Sequence, residues 1–577
     1  MRLLRGITQR LILPLILVLG LIPVGAEANP QPEAASGFEP RPVAVGERFM
    51  AVTAHPLATR AAVDILTRGG SAVDAAIAAQ LVLNLVEPQS SGIGGGGFLL
   101  HYDRPSGRIT VYDGRETAPA RARPDRFLQA DGSPLPFREA VTSGLAVGVP
   151  GLVAMLWQAH QAHGRLPWAT LFQPAITLAE SGFAVTPRLN RLLGLEADLP
   201  RNPAARALYY DAEGHPLAVG SRLANPALAA TLRRIAADGP AAFYQGELAQ
   251  AMVEAVQTAQ RPGDLSREDL AGYRVQVREA LCAPYRGHRV CVPPPPAGGP
   301  TVLQILGLLE RFPPLDPRTP LAVHRFTEAA RLAYADRAHF LADPAYAAVP
   351  VEQLLAADYL AARAALIRDE TSLRQASPGT LSASPARAVP ADGRGGTTHI
   401  SMVDAEGNAA ALTSSIEDAF GSRILVGGFL LNNQLTDFAF RPQVDGRPVA
   451  NRVEAGKRPL SAMSPALVFD PEGRLYAILG SPGGSRIIHY VARAIVALID
   501  GGLPAGEVVA LPHVGSRNGP TELERGHAPP ELVDDLRARG HEIMFSDMTS
   551  GLALIVRQGG RWVGAADPRR EGMAAGE

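Results

Sequence analysis

Residues 395–408 read GGTTHISMVDAEGN. They follow a run from Ser377 to Gly396, SPGTLSASPARAVPADGRGG, whose Ser, Pro, Ala and Gly cannot build a packed element of their own. Thr397 is the residue to explain. A Thr hydroxyl is a weak nucleophile unless a base stands beside it, and one solution is to make the Thr an N-terminus so that its own amine takes the proton. That requires a cut between Gly396 and Thr397, and two glycines before the bond give the backbone freedom to bend there. The Thr397 hydroxyl would attack its own preceding carbonyl. Beyond Thr397 the pattern becomes a hairpin. Thr398 to Val403 is strand-like, Asp404, Glu406, Gly407 and Asn408 are turn residues, and Ala409 to Ser414 resumes a strand. If Val403 pairs with Ala409, Thr397 faces Ser415 at a Cβ separation of roughly 5 Å, close enough for the Ser415 hydroxyl to orient it. A slip by one residue would undo the pairing. Read alone, the hairpin also permits a plainer account in which TTH merely begins a strand.

Several further stretches carry a resemblance. GGTTHISMVDAEGN, then NNQLTDF (432–438), KRPLSAMSP (457–465) and GSPGGSRI (480–487) are similar to the gamma-glutamyltransferase family of N-terminal nucleophile hydrolases. EPQSSGIGGGGF (87–98), DGRETAP (113–119) and EAARLAYADR (328–337) agree, so the likeness runs in order over nearly all of the chain after about residue 45. It implies an α+β fold, the αββα sandwich, formed jointly by two chains from one self-cleaved precursor. The large, mainly helical piece would be 29–396 and the small, strand-rich piece 397–577, with the two remaining associated around one core. Composition alone says only α/β or α+β.

The resemblance also implies roles for individual residues. Thr397 would be both the agent of self-cleavage and the catalytic nucleophile, and Ser415 the hydroxyl that steadies it. Gly483 and Gly484 match an oxyanion hole, where two adjacent N–H groups hold the developing charge. Arg115 matches the arginine that takes the donor's α-carboxylate, a task suited to a fork of donors, and Ser461 one of two serines that help it. Gln434 and Asp437 match the positions that hold the α-ammonium. Two departures stand out. Glu417 occupies a position that is often asparagine, which would add negative charge beside the ammonium. Ala462 replaces the second serine and removes a hydroxyl from the carboxylate side. The lid segment between Asp437 and Ser461 has no Tyr or Trp, so an aromatic gate is not expected. Gamma-glutamyl compounds such as glutathione are the implied donors, and water, amino acids or peptides the acceptors. The alternatives are a cephalosporin or glutaryl acylase, whose substrates lack the α-ammonium, and an unprocessed binding protein without turnover.

The remaining composition narrows the field. With 577 residues the chain can bury a large core, and its formal net charge of −1 gives no reason to expect nucleic acid or an anionic membrane surface as partner. Lys457 is the one lysine, so a Schiff-base mechanism has a single candidate. No Cys or His spacing suggests zinc, and neither a metal nor a cofactor is expected. The N-terminus carries Arg2, Arg5 and Arg10, an apolar run from Leu11 to Val24, and Ala26-Glu27-Ala28, the layout of a signal peptide over 1–28. Export to the periplasm or the medium is therefore expected. Cys282 and Cys291 in LCAPYRGHRVC would face each other if Arg286-Gly287 is a two-residue turn; they either bridge across the strands or pack as free thiols, since Arg-Gly is not a favoured turn pair. Ser71 and Asp74 cap a helix that runs to Val86 and is apolar nearly all round, which predicts full burial rather than a membrane span, for which it is too short. The glycine cluster Gly92–Gly97 matches G-x-G-x-x-G but leads into strand-like FLLHYD, where a dinucleotide site would need a helix.

Overall fold

The computed structural model describes residues 35–381 and 396–577. The signal-peptide reading of residues 1–28 and most of the loop before Thr397 lie outside the described residues. No described helix is long and apolar enough to cross a membrane.

The hairpin that opens at Thr397 forms the middle of a seven-stranded sheet. Gly396–Val403 pairs antiparallel with Ala409–Glu417, with Val403 opposite Ala409 and Thr397 opposite Ser415, as the turn residues predict. Asp404 fixes that turn, accepting from the backbone of Glu406 and Asn408 at 3.1 and 2.9 Å. Met573–Gly576 and Met50–Thr53 lie on one side of this hairpin, and Gly96–Asp103, Arg108–Asp113 and Gln276–Glu279 on the other. A second seven-stranded sheet is ordered Ala44–Gly46, Arg561–Ala566, Ala553–Gln558, Leu475–Gly480, Ala466–Phe469, His288–Val292, Leu281–Tyr285. Strands from both sides of the Gly396–Thr397 bond contribute to each sheet.

Alternation along the strands sorts the side chains into layers. Met50, Val52, Val403, Ala409 and Ala411 meet Leu467, Ile478 and Ile555 of the second sheet, filling the space between the sheets. Their neighbours Ala51, Ile400, Met402, Ala410 and Leu412 face the other way, into a core shared with the helices Pro56–Thr67 and Ala72–Val86. Every residue of the latter helix is buried, and Ser71 and Asp74 close its start as a capping box. The outer face of the second sheet is covered by Gly299–Leu309 and Ile487–Ile499. Helices, sheet, sheet, helices make the expected αββα sandwich.

One reading needs correction, that the chain after Thr397 is mostly strand-like to about Phe469. The stretch from Asp418 to Pro465 is not strand-rich: it holds only two-residue pairs such as Leu425–Val426 with Phe429–Leu430 and a 3-10 turn at Gln434–Asp437. Gly427 and Gly428, both at positive φ, fold ILVGGFLL back on itself before a longer strand can form. The turn at Arg286-Gly287 does form despite its composition, with φ of 51° and 79°. Arg286 is held in that unfavoured conformation by donating to Asp500 at 3.2 Å and to the carbonyls of Leu309 and Glu310 at 3.1 and 3.2 Å. Cys282 consequently faces Cys291, and the two are bridged.

Candidate active site

Thr397 sits where the central sheet opens. Odd-numbered residues of its strand point between the sheets, and Thr397 and Ser415 are the last such pair before the ladder slips. Gly396 opposes Glu417 instead of Ile416, so the bond expected to be cut lies at a bulge, with Glu417 at φ 79°. The Thr397 hydroxyl donates to Ser415 Oγ at 3.2 Å, and Ser415 Oγ donates to the Gly396 carbonyl at 2.5 Å. The Glu417 amide donates to the same Ser415 oxygen at 2.9 Å. One hydroxyl thus joins the nucleophile to the carbonyl it would attack.

His399 lies on the same face two residues on, yet it is a poor base. Its ring nitrogens are engaged with Thr413 Oγ1 at 2.8 Å and Ser401 Oγ at 3.0 Å, and burial lowers its pKa to about 3. Gly480 of the facing sheet makes room for it: a Cβ there would stand 2.3 Å from the ring.

A cleft opens beside Thr397. Gln434 and Asp437 border it from the 3-10 turn, Gln434 Nε2 donating to Asp437 Oδ2 at 2.8 Å. Arg115, buried at the end of the strand Arg108–Asp113, donates from Nη2 to the same carboxylate oxygen at 2.5 Å and to Leu460 O at 2.9 Å, and from Nε to Pro459 O at 3.2 Å. Its Nη1 stands 3.7 Å from Glu116, whose carboxyl burial pushes up to about 8 against the pull of the guanidinium. Ser461 and Ala462 line the same cleft, as does Gly484. Gly483 lies behind Gly484 at φ 133°, where a Cβ would meet the Tyr490 ring at 2.4 Å. The sequence-expected residues therefore converge, apart from Gly483, which backs the cleft rather than lining it.

Glu417 points inward. Asn433 Nδ2 donates to its Oε2, while Oε1 is buried with no hydrogen-bond partner, as is Gln434 Oε1. Burial, and after it the nearby Asp437 and Asp418, hold the Glu417 carboxyl well above the usual carboxylate range. Arg423, the cation closest to offsetting this, is engaged by Glu196 at 2.7 Å and Asp418 at 2.8 Å. The cleft accordingly presents an unfilled acceptor, Gln434 Oε1, beside Asp437 and a carboxyl that an incoming cation would help to ionise.

Two arginines were not singled out by sequence reasoning. Arg570 donates from Nη1 to Thr397 O at 3.1 Å and holds the backbone of the nucleophile. Arg337 borders the cleft from the last turn of the helix Pro320–Phe340. It belongs to the EAARLAYADR stretch, which was the available signal. Lys457 stands apart from the cleft lining, donating to Ala450 O at 2.6 Å and Glu454 at 2.8 Å. The segment between Asp437 and Ser461 holds a small hairpin, Gln443–Val444 with Arg447–Pro448, and its Phe440 stacks on Phe127 away from the cleft lining.

Among the described residues, one trio, His324, Glu328 and His541, has metal-ligand chemistry at close range. Its hydrogen bonds account for it otherwise. His324 Nε2 donates to Arg368 O at 2.8 Å, leaving Nδ1 to accept from His541 Nε2 at 2.7 Å, and His541 Nδ1 accepts from Thr521 Oγ1 at 2.7 Å. Glu328 accepts from Ser372 and the Leu373 amide at 2.8 Å each and from Arg331 at 3.3 Å. Burial keeps His541 neutral, at about 3.

An αββα sandwich with a buried Thr on a central strand, beside a cleft, is the arrangement of an N-terminal nucleophile hydrolase. The comparisons place the chain within that class. The family described as Gamma-glutamyltranspeptidase matches over residues 58–577. The chain is 37% identical over 566 residues to the glutathione hydrolase proenzyme of Escherichia coli (strain K12), covering 94% of each. It is also 37% identical over 559 residues to the acylase ACY 1 proenzyme of Pseudomonas sp. (strain V22), covering 94% of this chain and 96% of the relative. The crystal structure of cephalosporin acylase from Bacillus halodurans superimposes with a TM-score of 0.83 at 28% identity, over 93% of this chain and 97% of that one. The chain belongs to the gamma-glutamyltranspeptidase family.

Proposed function

We propose that this protein is a self-cleaving gamma-glutamyltransferase and glutathione hydrolase, exported by residues 1–28 and matured into fragments 29–396 and 397–577. In maturation the Thr397 hydroxyl adds to the Gly396 carbonyl carbon, and the Ser415 hydroxyl donates to the oxygen as it becomes negative. Collapse breaks the Gly396–Thr397 C–N bond, the nitrogen takes a proton, and the resulting ester is hydrolysed by water. The freed amine of Thr397 is then the base for its own hydroxyl. In turnover that hydroxyl attacks the gamma-carbonyl of a donor, with the oxyanion held at the Gly484 side of the cleft. The amine of the leaving group departs with a proton, and water or an acceptor amine removes the acyl group from Thr397.

The observation that carries this reading is the acidic corner of Glu417, Gln434 and Asp437, with two unfilled buried oxygens, close beside Arg115. A donor with an α-ammonium and an α-carboxylate satisfies both, and the ammonium takes up acceptors that would otherwise remain unpaired. A glutaryl donor, which keeps the carboxylate and lacks the ammonium, would leave that corner unfilled. The second reading, an acylase, draws support from the acylase relatives.

The test combines the intact mass of the denatured protein with kinetics on gamma-glutamyl-p-nitroanilide and glutaryl-p-nitroanilide. Two chains and a preference for the gamma-glutamyl donor are expected. A preference for the glutaryl donor transfers the assignment to the acylases, and a single uncleaved chain without turnover replaces both with a binding protein.

A further inference from the structure

The carboxylate side of the cleft holds a cation that Arg115 does not account for. Arg115 spends Nε and Nη2 on Pro459 O, Leu460 O and Asp437, which leaves Nη1, 3.7 Å from Glu116, to meet a ligand. Arg337 reaches the same cleft from a different element, the helix Pro320–Phe340. Its Nη2 donates to Ser461 O at 2.8 Å, while Nη1 is buried with no hydrogen-bond partner. An arginine nitrogen closed off from water and left unpaired is costly unless a ligand completes it. The contact with Ser461 O places Arg337 against the Ser461-Ala462 corner, where this chain has a methyl in place of a hydroxyl. Burial lowers the pKa of Arg337 only to about 10, so it is still a cation at neutral pH.

We infer that the α-carboxylate of the donor is held between two guanidiniums, with Arg337 Nη1 as a substrate-binding group that completes the site Arg115 begins. This rests on the gamma-glutamyl reading for the identity of the donor, but it depends only on the carboxylate. An amide in place of the α-carboxylate would fill the same space yet lose a charge-assisted pair on both sides.

Three p-nitroanilides dissect the contacts: gamma-glutamyl, glutaryl, which lacks only the α-ammonium, and 4-aminobutyryl, which lacks only the α-carboxylate. Arg337→Gln should lower kcat/KM by about 10- to 100-fold on both the gamma-glutamyl and the glutaryl donor. The loss should enter mainly through KM, and the 4-aminobutyryl donor should change by less than about threefold. Arg337→Lys should recover part of the loss on the two carboxylate donors. Equal losses on all three donors would make Arg337 a support for the Ser461 loop and overturn the inference, as would no loss on any. Intact mass reports whether each variant has matured. If Arg337→Gln remains one chain, Arg337→Lys decides the matter, with a selective loss on the carboxylate donors supporting the inference and a uniform loss overturning it. If wild-type enzyme prefers the glutaryl donor, the gamma-glutamyl reading fails, while the Arg337 comparison still stands on glutaryl against 4-aminobutyryl.

Discussion

Replacing Ser415 by Ala removes one oxygen that serves three neighbours. It donates to the Gly396 carbonyl at 2.5 Å, accepts from the Thr397 hydroxyl at 3.2 Å and accepts from the Glu417 amide at 2.9 Å. As Thr397 attacks, negative charge gathers on the Gly396 oxygen, so the first contact strengthens while the bond is being made. Removing one donor of this kind costs roughly 10²- to 10³-fold in rate, or about 3–4 kcal/mol. Loss of the acceptor for the buried Glu417 amide costs a further ~1–3 kcal/mol of stability. A thermal melt separates that effect from the chemistry. Intact mass over a time course after refolding should therefore show Ser415→Ala converting to two chains about a hundredfold or more slowly than wild type, with Ser415→Thr close to wild type because the hydroxyl remains. Maturation of a folded Ser415→Ala protein within about threefold of the wild-type rate would refute the relay, since no oxyanion contact worth about 3 kcal/mol can be lost so cheaply.

Thr397→Ala should remain a single chain on intact mass and hydrolyse no donor; a cleaved product would remove Thr397 from its role. Asp437→Asn keeps an acceptor for Gln434 and removes the charge opposite Arg115, so kcat/KM should fall by about 10- to 100-fold on the gamma-glutamyl and 4-aminobutyryl donors and far less on glutaryl. Glu417, held protonated by burial and by Asp437, must lose its proton to form an ion pair with an ammonium. Initial rates across a pH series should show kcat/KM for the gamma-glutamyl donor rising with pH up to the raised Glu417 pKa. Glu417→Asn should remove that limb and leave only the limb of the Thr397 amine; an unchanged profile would take Glu417 out of the binding step. The sign for stability runs the other way. A carboxyl with a raised folded pKa stabilises below its titration and loses that contribution as pH climbs through it, so Glu417→Gln should flatten the decline in melting temperature above about pH 5.

Local chemistry made part of this molecule readable before its structure was in view. The Asp404–Asn408 turn and the period-two alternation on either side fix which face Thr397 and Ser415 share, so their pairing followed from residues less than twenty apart. The slip between Gly396 and Thr397 did not follow, because a bulge leaves the residue pattern intact and shows itself only in which backbone groups pair. The region after Asp418 misled for a related reason. Apolar ILVGGFLL has strand composition, but side-chain amides replace much of a ladder there: Asn432 donates to Gly94 O and Gly148 O, and Asn451 to Asp437 O. Arg570 gave no sign of its position, and Arg337 only its place in the EAARLAYADR stretch, since each meets its partner across more than a hundred residues of chain.

The bulge at Gly396–Thr397 also decides what a cut would leave behind. Downstream of it, Thr397 is pinned by its pairing with Ser415 and by Arg570 on its carbonyl, and the strand is gripped from its other edge where Ser401, Met402 and Val403 pair with Val52, Ala51 and Met50. A fresh chain end normally frays. Here the new terminus would inherit a berth already made, while Gly396 lies on the far side of the irregularity, opposite Glu417. The fold is like a sheet scored along one line: a tear at that place would leave an edge straight enough to hold an amine still.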